Sequence, residues 1–272
     1  MRTVTEEEPA RGVAVAVAPG IRRLVARNAG PMTYHGTNTY LLDWEDGVAV
    51  LDPGPDDPTH VERIAAAAGA PIRAILLTHA HSDHWGALAG LRDATGAPVH
   101  AWHEPADPIR PDVALRDGDM VGAWRAVHTP GHAPDHLCFL GPDGVLFSGD
   151  HVMGWSTTIV GGAGGDMAAY FRSLERLLGL EARVYLPGHG PPITEPGPFA
   201  AALLKHRRMR EAAILQALAA GPASAESLAA ELYPALDPSL RRAAERNVAA
   251  HLQKLGAEGR AVQGPSGWSR TG

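Results

Sequence analysis

His79-Ala80-His81-Ser82-Asp83-His84 puts four strong metal ligands into six consecutive positions. The run before it, Ile72-Arg73-Ala74-Ile75-Leu76-Leu77-Thr78, is short, apolar and β-leaning, as a buried strand is. The run after it, Trp85 to Thr95, carries Leu88 and Leu91 at helical spacing. The hexapeptide therefore sits on a strand-to-helix turn, where functional side chains of α/β proteins gather. His79 and His81, two apart in extended chain, can share one side. Asp83 and His84 follow as the chain turns and can face a second ion. Imidazole suits zinc, and an admixed carboxylate suits a catalytic site better than a sealed structural one. A polar loop whose histidines merely cap the helix does not account for this ligand density.

Outward from that turn the chain alternates strands and helices. Residues 13–28 read as a hairpin broken by Pro19-Gly20, and Thr37–Leu42 and Val48–Leu51 as the next two strands. A helix is expected over Pro58–Ala68, a strand over Val99–Trp102, and a surface loop over the Pro- and Asp-rich residues 103–119. Strands follow at Trp124–Val127, Leu137–Leu140 and Val145–Phe147. Asp166 is placed to cap a helix running to about Leu178, ahead of a last strand at Val184–Leu186. The stretch Gly161-Gly162-Ala163-Gly164-Gly165 lacks the trailing Lys-Ser/Thr of a phosphate-cradling loop, so it reads as a mobile loop beside the site. After Pro191-Pro192 and Pro196-Gly197-Pro198 the pattern turns helical, near Phe199–Ala219, Ala223–Tyr233 and Pro238–Gly256. A hairpin at Arg260–Gln263 and Gly267–Arg270 closes the chain. Three helices and a hairpin make the winged form of a helix-turn-helix unit. The expected division is a catalytic domain over residues 1–198 and a winged helix over 199–272.

Three further ligand types each stand in a turn directly after a β-like run: His132 in Thr129-Pro130-Gly131-His132, Asp150 in Ser148-Gly149-Asp150, and His189 in Pro187-Gly188-His189. The adjoining Gly and Pro let the backbone turn sharply and aim one side chain at a common point. With the hexapeptide this makes seven donors, too many for one tetrahedral zinc and enough for two ions sharing a carboxylate.

These motifs resemble the metallo-β-lactamase superfamily from Thr37 to about Pro192. The resemblance implies an α/β fold, the four-layer αβ/βα sandwich, here with a C-terminal winged-helix domain. It implies that His79, His81 and His132 bind one Zn2+, that Asp83, His84 and His189 bind a second, and that Asp150 bridges them. Asp52 matches the family's early Asp at a strand end, which orients the site from behind the ligands. The opening Gly36-Thr37-Asn38-Thr39-Tyr40-Leu41, Thr157-Thr158 and the C-terminal unit extend the resemblance to the β-lactamase-like-protein-2 group. Members of that group include a single-strand endoribonuclease and thioesterases of polyketide assembly. The implied chemistry is hydrolysis by a metal-bridging hydroxide attacking an ester, thioester or lactam carbonyl, with Asp83 orienting the nucleophile and shuttling its proton. His136 is a candidate donor to an oxyanion, or else a structural histidine at the start of the following strand. His151, next to Asp150, either touches substrate or hydrogen-bonds behind the ligands. Iron and manganese accept the same His and Asp donors as zinc.

Composition narrows the setting. Hydrophobic residues at 45% and charged ones at 20% are those of an ordinary globular protein. The single cysteine, Cys138, excludes an internal disulfide and lies in an apolar run, as a core residue would. No run reaches the ~18 apolar residues of a membrane span, and the acidic start Glu6-Glu7-Glu8 is unlike a signal peptide, so a cytoplasmic location is expected. After residue 200 ten Lys and Arg stand against six Asp and Glu, a formal +4 that leaves −10 on the catalytic part. An acidic catalytic part favours a small-molecule substrate over a long polyanion. The alternative partner is single-stranded RNA, guided by Arg241, Arg242 and Arg246 on the third C-terminal helix, with Lys254 near the same face. Otherwise the winged helix is a lid or a homodimer contact.

Overall fold

The computed structural model describes residues 2–162 and 164–271; Ala163, inside the glycine-rich stretch, lies outside them. The chain opens with an antiparallel meander, β1 (Val15–Ala18), β2 (Ile21–Val25), β3 (Asn38–Trp44) and β4 (Gly47–Leu51). Helix α1 (Pro58–Ala68) starts where the Asp57 carboxylate accepts from the Thr59 amide, and Pro58 supplies the fixed φ of a first turn. The chain then enters β5 (Ile72–Leu76), parallel to β4. The helix expected over Trp85–Thr95 is two pieces, α2 (Ser82–Trp85) and α3 (Leu88–Thr95). They separate because the Ala87 amide leaves the helical ladder for the Gly54 carbonyl, at 3.0 Å. Next come β6 (Val99–Trp102) and β7 (Val113–Leu115), both parallel to β5. The segment 103–119, expected to be all loop, thus contains a strand. Its three residues extend the sheet edge and bury Leu115, pairing that Pro and Asp content conceals.

The second sheet holds β8 (Met120–Val121), β9 (Trp124–His128), β10 (Leu137–Leu140) and β11 (Val145–Gly149) in antiparallel order. Helix α4 (Met167–Leu178), capped by Asp166 as its sequence predicts, leads to β12 (Val184–Pro187), parallel to β11. The two sheets lie in the orders β1 to β7 and β12-β11-β10-β9-β8. Strand alternation sorts the side chains into layers. Tyr40, Leu42, Ala49 and Leu51 of the first sheet meet Leu137, Phe139, Val145 and Phe147 of the second. Leu41, Val48 and Val50 face the opposite way, onto Ile64 and Ala68 of α1 and Leu88 and Leu91 of α3. Val127, Cys138 and Leu146 pack on Tyr170, Phe171 and Leu174 of α4. Helix, sheet, sheet, helix is the αβ/βα sandwich, and Cys138 is the core residue expected.

Helix α5 (Pro196–Ala217) runs out of this body into the C-terminal unit. Phe199, Ala200, Leu203 and Leu204 belong to the sandwich core, whereas Ile214 and Leu215 belong to a separate core with residues of α6 (Ala225–Leu232) and α7 (Arg241–Ala257). The boundary expected at 198/199 therefore falls inside a helix that both cores use. The hairpin of β13 (Ala261–Gly264) and β14 (Gly267–Arg270) completes the winged helix. Lys254 does not join the arginines of α7: its ammonium bonds Glu211 and Glu258 at 2.8 and 2.7 Å and lies over the Phe171 ring. Among the described residues no helix is long and apolar enough to cross a membrane.

Candidate metal centre

Several strand ends at one edge of the sandwich deliver a donor. His79 follows β5; His81, Asp83 and His84 lie at the N-terminal side or within α2; His132, Asp150 and His189 follow β9, β11 and β12. The turns are tight. A Cβ on Gly188 would stand 2.5 Å from Asp150 Oδ1 and 2.6 Å from His84 Cε1, so only glycine lets the His189 loop close over the other ligands.

The seven residues named by the sequence come together in two adjoining groups. In one, His81 Nδ1 lies 2.9 Å from both His79 Nε2 and His132 Nε2. A single imidazole nitrogen has at most one hydrogen to give, so three ring nitrogens meeting at one point are facing lone pairs. In the other, Asp83 Oδ2 is 3.2 Å from His189 Nε2 and 3.8 Å from His84 Nε2. Asp150 stands between them, with Oδ1 3.5 Å from His84 Nε2 and from His189 Nε2, and Oδ2 3.7 Å from His132 Nε2. The spacings of 3.5 Å and more are too long for good hydrogen bonds but close to the ~3.4 Å edge of a tetrahedron with ~2.1 Å metal–ligand bonds.

The fit to a cation has a direct sign. Among the described residues His84 Nε2 and Asp150 Oδ1 are buried with no hydrogen-bond partner, although buried polar atoms are nearly always paired. Their other bonds fix the tautomers so that the free nitrogens face inward. His84 Nδ1–H donates to Asp52 Oδ2 at 2.8 Å, and the Thr78 hydroxyl donates to the same oxygen at 2.8 Å. That hydroxyl oxygen then accepts from His79 Nδ1–H at 2.9 Å, and His132 Nδ1–H donates to the Ile159 carbonyl at 2.7 Å. Asp52, 1% exposed, thus bonds His84 of one group directly and His79 of the other through the Thr78 hydroxyl.

The two groups differ in charge. Burial, reinforced by neighbouring histidines, holds His79 well below the ordinary imidazole value and His132 at about 4, so these rings are neutral. In the second group burial opposes charge but loses. Asp150, Asp83 and Asp52 raise His84 well above its usual value, and Asp150 with Asp83 raises His189 to about 9. His84 and His189 in turn depress Asp83 to about 2 against the effect of its burial. The carboxylates that raise these imidazoles would equally favour a divalent cation between them.

Two expected residues stand elsewhere. His136 is fully buried beneath the ligands: its Nδ1 bonds the Thr129 hydroxyl at 2.8 Å, and its Nε2 accepts from the Asp150 amide at 3.2 Å. No N–H is left for an oxyanion, and of its two readings the structural one fits. His151 is also fully buried, its ring 4.5 Å from that of Tyr170, and neither ring nitrogen has a hydrogen-bond partner. It touches neither the pocket nor a ligand side chain; burial, followed by the nearby His132 and Arg207, pushes it down to about 3.

Over the ligands opens a cavity of about 320 Å3, floored by His81, Asp83, His132 and Asp150. Its walls include Arg246 of α7, named above, and residues that the sequence did not single out: Met153 and Trp155 from the sandwich, and Tyr233, Leu236, Leu240 and Asn247 from the C-terminal unit. No local signal marks the last four, because they reach the site only through the docking of one unit on the other.

Comparison with known proteins agrees with this architecture. The family model described as the metallo-β-lactamase superfamily matches residues 32–117 and 100–189, and the β-lactamase associated winged helix domain matches residues 224–268. A Drosophila melanogaster protein named Beta-lactamase-like protein 2 homolog is 32% identical over 90% of this chain and 93% of its own length. An atrochrysone carboxyl ACP thioesterase of Passalora fulva is 29% identical over 90% of this chain and 78% of its own. The crystal structure of a β-lactamase domain protein from Burkholderia ambifaria superposes with a TM-score of 0.84 at 28% identity, covering 97% of this chain and 95% of that one. With its sandwich, its His and Asp cluster and its winged helix, the chain belongs to the metallo-β-lactamase superfamily and is a metal-dependent hydrolase.

Proposed function

We propose that the chain hydrolyses a small carbonyl substrate, an ester, thioester or lactam, using two zinc ions. His79, His81 and His132 would hold one, Asp83, His84 and His189 the other, and Asp150 would bridge them. The observation that carries this reading is the Asp150 carboxylate, whose two oxygens face the two groups separately. When bound, such a pair of cations polarises a carbonyl and lowers the pKa of a shared water from 15.7 to roughly 7. Asp83 lies on the cavity floor and is ionised at neutral pH, so it is placed to accept a hydrogen from the attacking water and orient it. Trp155, Tyr233, Leu236 and Leu240 make an apolar wall that shields the site from bulk water and suits an acyl chain. The thioesterase among the relatives supports a thioester as the first substrate to try.

A second reading, cleavage of single-stranded RNA, draws on Arg241, Arg242 and Arg246. All three are exposed, and Arg246 borders the cavity. The apolar wall of the cavity favours the small molecule. The test sets a thioester panel beside a labelled single-stranded RNA, with zinc-loaded wild type and Asp150→Ala. Thioester turnover lost by at least a hundredfold in Asp150→Ala supports the first reading. Asp150-dependent RNA cleavage without thioester turnover replaces it with the second, and full turnover by a metal-replete Asp150→Ala protein removes the bridging role.

A further inference from the structure

We propose that Asn247 and Arg207, both in the C-terminal helical region, are positioning residues for the metal centre. They act through the segment Thr158–Val160, which is tied on both sides. Towards the ligands, the Ile159 carbonyl accepts from His132 Nδ1–H at 2.7 Å, and the Thr158 hydroxyl donates to the Asp150 carbonyl at 2.7 Å. Towards the C-terminal unit, the Val160 amide donates to Asn247 Oδ1 at 2.8 Å, and Arg207 Nη2 donates to the Thr158 carbonyl. Arg207 Nη1 donates to the same Asn247 oxygen at 3.3 Å, which joins α5 to α7 at this point.

Arg207 is the more telling of the pair. It is 2% exposed and forms no ion pair among the described residues. A buried guanidinium without a carboxylate is costly, and its compensation consists of one strap carbonyl, one amide oxygen and the face of Tyr170, 5.4 Å away. The Tyr170 hydroxyl donates to the His151 carbonyl at 2.8 Å, so the same cluster steadies the backbone immediately after Asp150. Directly, or through Asn247 and Tyr170, these contacts lead to the backbone of Thr158–Val160 and of His151, next to residues that carry or orient a metal ligand. A winged helix serving only as an RNA guide or a dimer contact has no need of them.

The inference rests on the reading of the cluster as a metal centre, and the test separates the two. Metal-free wild type, Asn247→Leu, Asn247→Asp and Thr158→Val are titrated with cobalt(II) against a chromophoric chelator, and the visible absorption of the bound ion is followed. Leu252→Ala, in the C-terminal core away from the strap, controls for lost stability. Outer partners of ligating histidines are worth about 10–100-fold in metal affinity, and Asn247 acts one residue removed, so about tenfold is expected. Asn247→Leu should weaken one of two cobalt(II) equivalents by that factor and alter its absorption, and Thr158→Val, which reaches the bridging Asp150, should weaken both. Asn247→Asp, which keeps an acceptor for Val160 and Arg207, should stay within about threefold of wild type. Leu252→Ala should melt earlier yet bind both equivalents normally. Wild-type affinity in Asn247→Leu and Thr158→Val, or equal weakening of both equivalents in Asn247→Leu, overturns the positioning role while leaving the metal centre intact. A wild-type chain that takes up no cobalt(II) removes the metal centre itself. Should Asn247→Leu fail to fold, Thr158→Val reads the same connection from the sandwich side.

Discussion

At the scale of single residues, Asp52 carries more than its distance from the cavity suggests. One carboxylate oxygen receives both the His84 ring and the Thr78 hydroxyl, and through that hydroxyl it fixes the His79 ring. Asp52→Ala should therefore weaken both metal equivalents, by about 10–100-fold, in a chelator competition. The second group also predicts a pH dependence. His189 is raised to about 9 in the metal-free protein, so at neutral pH a proton must leave before a cation binds. Apparent metal affinity should rise about tenfold per pH unit for each proton released, until pH passes about 9. Without metal the sign for folding is opposite. The raised value means that the ion pairs of His189 stabilise the fold fully below its ordinary pKa of 6.5, and that this contribution is lost as pH climbs through about 9. Calorimetry of the metal-free protein between pH 6 and 10 reads this loss. A flat profile there, with metal binding independent of pH, would show His189 already neutral.

At the scale of elements, α5 and α7 are joined by a charge cluster as well as by the strap. Glu211 of α5 receives Lys254 at 2.8 Å and Arg260 at 3.0 Å. Burial tends to raise this carboxyl, but the His251 ring 3.5 Å away and the hydrogen bond from Lys254 depress it to about 2. Its stabilising effect is thus present above its ordinary value of 4.5 and disappears as pH falls towards about 2. Glu211→Gln should cost about 1.5–3 kcal/mol at pH 7 and flatten the acid limb of a stability profile. The glycine-rich stretch acquires a packing role too. A Cβ at Gly161, where φ is +142°, would stand 2.4 Å from the Arg246 carbonyl oxygen. Gly161→Ala must push α7 off the loop, and an increase in KM with little change in kcat is the expected result. These elements were largely legible beforehand. α4 was announced by its Asp166 cap and α1 by Pro58, whereas β7 was hidden because three residues on a sheet edge leave no periodicity of their own.

For the whole molecule, the shared α5 couples the two cores. A single cooperative melting transition is expected, with chelation of the metal lowering its midpoint by about 5–10 °C when the ion had been present at about 100 times its Kd. An early, separate melting of the C-terminal unit would contradict this. The limits of sequence reading fall at the same scale. The metal-centre donors could be read because they stand in turns after strands or, for Asp83 and His84, in the short helix that follows one, and strand ends converge in such a sandwich. His136 and His151 stand in similar company and are as buried as His84, but both His136 nitrogens are engaged and the His151 ring lies against Tyr170. Tyr233, Leu236 and Leu240 could not be read at all, since their place at the cavity depends on how one folded unit rests on another.

The cavity draws on two separate stretches of one gene product. The last donor is His189, and the wall from the C-terminal unit begins at Tyr233. Reaction and selectivity are therefore encoded apart, and a recombination event between them could graft a new preference onto an old catalyst. The strap sets the terms of such an exchange: an incoming segment lacking the equivalents of Arg207 and Asn247 would arrive with its pocket but leave His132 unsteadied.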